Sequence, residues 1–365
     1  MSNASRLRFP LLGLGILSLL FGIWSGLIRL GWNLPWLRPA LLLAHGPLMA
    51  SGFLGAVIGL ERAVALDSRW TYAGPILTVL GALFLIAGIA GPWGPGLIVL
   101  GSAGLVAALL FILRLQPALF TLTMSLGAVC WLVGNALWLS SFPVFRVVLW
   151  WMAFLVLTIA GERVELSRIR QFSGTSKLFF ILIVVLYLIG LVIAIPNADI
   201  GTRVAGVGMI ALAVWLLIHD IAWLNLKQTG LPRFMAVCLL SGYVWLGVGG
   251  ILAMVSGEVI AGLGYDALLH AVFLGFVFAM IFGHAPVIFP AVLGLKMAYR
   301  SSFYIHLLLL HATLALRVAG DLSLWMPGRL WGGLLNALVL LLFLGNTISA
   351  MAAAKKQPLR PPKFR

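Results

Sequence analysis

The chain has 365 residues, of which 62% are hydrophobic and only 9% charged, and its mean hydropathy is +1.13. Soluble proteins carry about 25% charged residues, so this composition excludes an ordinary soluble domain. The formal charge of +15 is spread over short loops and the C-terminal tail, without a basic helix or a base-stacking motif, and this argues against a nucleic-acid partner.

Apolar runs long enough to cross a hydrocarbon core of about 30 Å recur along the whole sequence. Turn signals such as Gly91-Pro92-Trp93-Gly94-Pro95 and Pro196-Asn197 separate the runs. We therefore predict an all-α polytopic bundle of about twelve helices in a single membrane domain, residues 1–354, with a basic cytoplasmic tail at 355–365. The predicted spans are 9–30, 38–66, 72–91, 95–115, 118–139, 144–163, 176–195, 202–224, 232–256, 264–291, 301–318 and 327–352.

The distribution of lysine and arginine predicts the orientation in the bilayer. With the N-terminus inside, eighteen of the 24 basic residues fall on the inner side and six on the outer side. Because cytoplasmic loops carry the excess of basic residues, we predict that both termini are cytoplasmic. The tail from Lys355 to Arg365 is then expected to lie near anionic lipid headgroups.

The six histidines all fall inside or at the ends of predicted spans, where ionisable groups are costly and are therefore functional candidates. At a rise of about 1.5 Å per residue, His45 lies about 10 Å and His270 about 9 Å below the outer ends of spans 2 and 10. If these spans are neighbours, the two imidazoles can ligate one haem iron from opposite faces. The alternative is two unrelated buried histidines, each hydrogen-bonded to a nearby polar group.

A second group of histidines is predicted near the inner surface. His219, His284 and His306 lie at similar depth on spans 8, 10 and 11, and imidazole clusters suit copper or another metal. The alternative is three surface histidines at helix ends. His311, near the middle of the membrane, lies on a different face of span 11 from His306 and cannot share its site.

Charged and small residues extend the haem hypothesis. Arg317, Arg38 and Arg329 lie at outer depths, where arginine can pair with haem propionates. The alternative for each is snorkelling to the interface. Gly52 is part of a glycine-rich face of span 2 that leaves room for a flat macrocycle, or for close helix packing.

The acidic residues are sparse. Glu61-Arg62 and Glu162-Arg163 end spans 2 and 6 on the inner side and are expected to pair with each other. Glu258 and Asp266 flank the loop before span 10 and are expected to be solvated. Cys130 and Cys238 lie in apolar runs and are expected to be small core residues.

Four segments resemble the NnrS-type family of twelve-span bacterial membrane proteins. His45-Gly46-Pro47-Leu48-Met49, continued by Ala50 to Ile58, resembles the family's H-x3-M-x2-GF-x2-AVI segment. His270-Ala271 through Gly275 to Gly283-His284 is similar to its HA-x3-G and GH stretch. Leu316-Arg317-Val318 resembles its LRV element, and Gly161-Glu162-Arg163-Val164 its inner turn. Two positions depart from the family: Gly46 replaces an alanine, and Ala285-Pro286-Val287 replaces Thr-Gly-Arg.

The resemblance implies a protein of the bacterial inner membrane associated with haem, copper and nitric oxide stress. It also implies a bundle like the haem–copper oxidase core, in which His45 and His270 hold a low-spin haem b. We expect electron transfer, sensing or haem-dependent oxidoreductase chemistry, with a membrane or periplasmic electron carrier as partner. Spans 6 and 7 contain no histidine, so a copper site for oxygen reduction has no equivalent. The alternatives are a secondary transporter that uses intramembrane histidines, and an assembly factor for a respiratory complex.

Overall fold

A computed structural model describes residues 5–35, 37–170 and 172–356. All regular secondary structure in these residues is helical, and twelve helices are long and apolar enough to cross a bilayer, which confirms the predicted helix class and number. They are α1 Arg8–Leu30, α2 His45–Leu66, α3 Arg69–Ile86, α4 Trp93–Leu115, α5 Leu119–Leu139, α6 Val144–Ile169, α7 Gly174–Ile193, α8 Ala198–His219, α9 Leu231–Ser256, α10 Leu263–Leu293, α11 Phe303–Leu322 and α12 Met326–Ala354.

The predicted tail is only partly described. The last helix continues to Lys356, and residues 357–365 lie outside the described part of the chain. The cytoplasmic location of both termini remains a prediction from the basic residues. We call the end of the bundle where α2 and α10 begin the His45 end, and the opposite end the His284 end.

Two helix boundaries near the His45 end are set by local chemistry. α1 stops because Gly31 adopts φ 112°, a left-handed conformation that a glycine tolerates and that ends the ladder. The second span was predicted to begin near residue 38, but α2 begins at His45. Residues Pro39–Leu43 form a separate 3-10 turn with proline at its start, where the missing N–H costs nothing.

The core of the bundle is centred on α6, the most buried of the twelve helices. α5 packs along it, and Trp131 of α5 stacks on Phe154 of α6 at 4.9 Å between ring centroids. Hydrogen bonds then tie three helices together: Asn135 of α5 accepts from Trp151 of α6 and from Ser51 of α2. In an apolar medium such side-chain bonds contribute about 0.6–2 kcal/mol each. They fix the start of α2 against α6.

α2 and α10 are neighbours, as the haem hypothesis requires. Both depart from α-helical geometry in the same way: Leu48–Gly55 and Ala271–Phe278 are π-helical. Such segments are rare and occur mostly at functional sites, because the wider turn redirects side chains. Each begins within three residues after one of the two candidate histidines.

Candidate cofactor site

His45 and His270 face each other across the gap between α2 and α10. Their ring centroids lie 6.4 Å apart, and the ring planes differ by 25°. His45 opens α2, and His270 ends the first α-helical segment of α10. Their depths predict that these two imidazoles meet if spans 2 and 10 are neighbours, and the structure brings them together. His45 is, however, the first residue of its helix rather than one seven residues inside it.

Backbone carbonyls fix the orientation of both rings. Nδ1 of His45 lies 2.7 Å from the carbonyl oxygen of Gly22, and Nδ1 of His270 lies 2.8 Å from that of Asp266. A carbonyl oxygen only accepts, so Nδ1 carries the proton in both rings. The lone pair is therefore on Nε2, the nitrogen that a neutral histidine offers to a metal.

An aromatic pair lies under the histidines. Phe53 and Phe278 stack at 6.1 Å between centroids, and each follows its histidine by eight residues. Both rings are buried, and Phe278 also lines the cavity described below. The pair therefore forms a floor on the side that faces the middle of the bundle, which we call the phenylalanine floor.

A cavity of about 740 Å³ surrounds the two imidazoles. Its size is within the range of about 300–1,000 Å³ that cofactor and ligand sites occupy. Besides α2 and α10, the helices α1, α5, α6 and α12 contribute residues to its lining. Apolar side chains dominate the walls, among them Ile23, Leu54, Leu85, Trp138, Phe142, Val148, Trp151, Phe273, Ala337 and Leu340.

The charged groups of the cavity wall are three arginines and one carboxylate: Arg29, Arg317, Arg329 and Asp266. Arg317 forms a two-pronged ion pair with Asp266, at 2.7 and 2.8 Å. Arg329 pairs with the buried Asp321 at 3.1 Å. Arg29 forms no ion pair with any carboxylate in the described ranges. The wall is thus net positive and suits a ligand with carboxylate groups.

Asp266 was expected to be solvated, and this prediction is wrong. The residue is largely buried, with 13% of its side chain exposed. Its carboxylate lies between the guanidinium of Arg317 and the ring of His270, 3.4 Å from Nδ1. It was expected to flank the solvated loop before span 10, whereas the first turn of α10 carries it into the cavity wall.

Arg38 and Gly52 lie outside the cavity wall. The Arg38 side chain crosses to α3 and donates to the carbonyl of Ala87 at 2.7 Å. A Cβ at Gly52 would lie 3.0 Å from both Ser18 and Ala82, so this glycine serves close helix packing, the alternative considered above. Neither residue therefore borders the histidine pair.

The glycine that makes room for the site is on another helix. A Cβ at Gly26 of α1 would lie 2.8 Å from both Cε1 and Nδ1 of His45. Gly22, one turn earlier, supplies the carbonyl that holds the same ring. Sequence reasoning missed both, because only the docking of α1 against α2 shows that these glycines face His45.

The three histidines predicted to form an inner metal site do not meet in one group. No cluster of three or more His, Cys, Asp or Glu side chains able to hold a metal occurs among the residues with described positions. His219 stacks on Trp215, His284 faces Arg163 at 3.4 Å, and His306 packs against Phe282. The three histidines lie at similar depth on their helices, but their side chains contact different neighbours.

Two ion pairs, one partly and one fully buried, lie at the His284 end. Arg62 pairs with Glu162, as predicted for the ends of α2 and α6. Arg163 pairs with Asp220, with 3% and 0% of their side chains exposed, and the Tyr243 hydroxyl donates to the same carboxylate at 2.6 Å.

The sixth histidine, His311, has hydrogen-bond partners at both ring nitrogens: Nδ1 accepts from Trp245, and Nε2 contacts the Ser241 hydroxyl.

Comparison with known proteins gives the family but no activity. The family described as "Domain of unknown function (DUF8744)" matches residues 8–352, so the chain belongs to it. No curated protein matches the sequence.

Proposed function

We propose that this DUF8744 member is a haem-binding membrane protein in which His45 and His270 are the axial ligands of one low-spin haem b. The observation that carries the proposal is the pair of facing imidazoles within a largely apolar cavity. Bis-histidine ligation is typical of haems that transfer electrons, so we propose electron transfer as the role.

The spacing of the rings fits a shared metal. A bond of about 2.0–2.1 Å from the metal to each imidazole nitrogen, with about 1.1 Å from that nitrogen to its centroid, places the centroids about 6.3 Å apart. The observed separation is 6.4 Å. Two unrelated buried histidines have no reason to keep this distance or to line one cavity together.

The cavity wall fits the rest of a haem. Its apolar side chains suit the macrocycle, and its three arginines suit the two propionates. Arg29 and Arg329 of α1 and α12 come from the same side as Arg317 of α11. The propionate edge would therefore face this side, and the apolar edge would face α5 and α6.

In this arrangement the chain's own residues have distinct tasks. The carbonyls of Gly22 and Asp266 keep both rings in the tautomer that offers Nε2. The phenylalanine floor excludes water from the side facing the middle of the bundle. When bound, the haem would supply a one-electron redox centre; a membrane or periplasmic carrier would be its partner.

The location and the link to nitric oxide are also proposals. The twelve spans support a multi-pass membrane protein. Placement in a bacterial inner membrane and a role in nitric oxide stress rest on the NnrS-type resemblance alone.

The test is the haem content of the purified protein. We expect about one haem b per chain by pyridine haemochrome analysis, with a reduced-minus-oxidised spectrum typical of a six-coordinate low-spin haem. A preparation from haem-supplemented cells that contains no haem would overturn the proposal. Metal analysis of the same sample would then show whether the histidine pair holds a bare metal ion.

A secondary transporter is the second candidate, and one observation favours it. The cavity lies at the His45 end, whereas ion pairs occupy the His284 end, an arrangement that a carrier with a one-sided opening would have. The test uses Ala337→Cys, which places a thiol in the cavity wall. If the protein is haem-free and an added solute changes the rate at which a thiol reagent labels this cysteine, the transporter is supported. We found no feature that favours an assembly factor.

Gly26 gives a specific prediction for the haem site. Gly26→Leu should reduce the haem content at least tenfold, because its side chain would occupy the place of the His45 ring. Gly13→Leu, on the same helix, is the matched control, since no atom lies within 4 Å of a Cβ there. Haem content and yield of folded protein, measured on both variants, check the prediction. Equal haem content in the two would contradict it.

A further inference from the structure

Asp266 lies in the cavity wall where α10 meets α11. Its carboxylate oxygens accept from Nε and from a terminal nitrogen of Arg317, while its own backbone carbonyl accepts from His270. One carboxylate oxygen also lies 3.4 Å from Nδ1 of the same ring. A single residue thus contacts both the imidazole and the nearest cation of the cavity wall.

We propose that Asp266 is a positioning residue that sets the reduction potential of the haem through His270. This inference rests on the proposed function. A carboxylate next to Nδ1–H makes the imidazole a stronger electron donor through Nε2, as outer partners of metal-bound histidines generally do. A stronger donor and a nearby negative charge both favour the oxidised iron.

Arg317 limits the effect of this carboxylate. Its guanidinium binds both oxygens, so only part of the negative charge acts on the imidazole. Arg329 lies 3.9 Å from Asp266 and is held mainly by Asp321. The electrostatic potential at the His270 ring is therefore set jointly by these carboxylates and arginines.

The opposite histidine has a different partner. His45 is held by the carbonyl of Gly22, and the charged wall residue on its neighbouring helix α1 is the cation Arg29. The two axial positions are therefore unequal: within the described ranges, a carboxylate forms a close pair with His270 and none does with His45. This asymmetry assigns the tuning of the potential to the His270 side.

The test is a redox titration of purified holoprotein. Asp266→Asn should keep one haem per chain and shift the reduction equilibrium at least tenfold toward the reduced form, which is about 59 mV for one electron. Asp199→Asn is the matched control: it removes the same charge at the same end, from an exposed pair with Arg203. Its equilibrium should stay within about twofold of the wild type.

An Asp266→Asn variant that binds haem with an unchanged equilibrium would overturn the inference and leave the haem proposal intact. A wild type without haem would overturn the haem proposal itself. If Asp266→Asn loses haem, the variant Arg317→Gln tests instead whether the charge beside His270 sets the reduction potential. It leaves Arg329, 3.9 Å away, as the remaining cation beside the carboxylate, so the equilibrium should move at least tenfold toward the oxidised form, and an unchanged equilibrium would overturn the inference.

Discussion

His45→Ala and His270→Ala should each abolish the six-coordinate low-spin haem spectrum and reduce haem content at least tenfold. Each variant removes one of the two facing imidazoles, whose centroids lie 6.4 Å apart. Loss of either leaves the iron with one protein ligand in a cavity whose remaining walls are mostly apolar. Absorption and electron paramagnetic resonance spectra of the purified variants measure the effect.

His219→Ala is the matched control for these variants. It removes the same side-chain type at the opposite end of the bundle, where the ring stacks on Trp215, and it should leave the spectrum unchanged. Added imidazole provides a second check, because it should restore the six-coordinate spectrum of His270→Ala by entering the vacated space. A His45→Ala or His270→Ala protein with full haem content and an unaltered spectrum would refute the assignment.

Asp220→Ala should give the largest loss of stability, about 3–5 kcal/mol. The Arg163–Asp220 pair is almost fully buried, and loss of the carboxylate leaves a guanidinium and the Tyr243 hydroxyl without their acceptor. An uncompensated buried charge costs more than the lost bond itself. Unfolding of the detergent-solubilised protein, followed by circular dichroism, measures the change.

The control for this prediction is Asp199→Ala. Asp199 pairs with Arg203 on the surface of α8, with about half of each side chain exposed, and such pairs contribute only about 0–1 kcal/mol. Replacing both Arg163 and Asp220 by leucine should recover much of the loss, since no unpaired charge remains. A loss below about 1 kcal/mol in Asp220→Ala would show that water or another cation compensates Arg163.

The helices of this chain were largely predictable from sequence, and their exact starts were not. Length and hydropathy predict twelve spans because each must satisfy its backbone within the apolar layer. The start of α2 was misplaced by seven residues, since Leu41, Leu42 and Leu43 are as apolar as the helix that follows. The π-helical segments were not predictable either, because uniformly apolar stretches carry no periodicity from which the turn can be read.

The site was predictable only where depth alone mattered. His45, His270 and Arg317 were identified because rise per residue places them near one level of the membrane. Asp266 and Gly26 were missed, since their contribution depends on which faces of α10 and α1 turn inward. The same limit explains His219, His284 and His306, which share a depth but have different neighbours.

The phenylalanine floor has a consequence for energy conversion. Phe53 and Phe278 lie between the histidine pair and the middle of the bundle, and ion pairs lie at the far end. The shortest path for an electron into and out of the proposed haem is therefore at the His45 end. An exchange confined to that end moves no charge through the membrane field and so avoids the cost of about 2.3 kcal/mol per charge at 100 mV. Its rate would then be insensitive to the membrane potential.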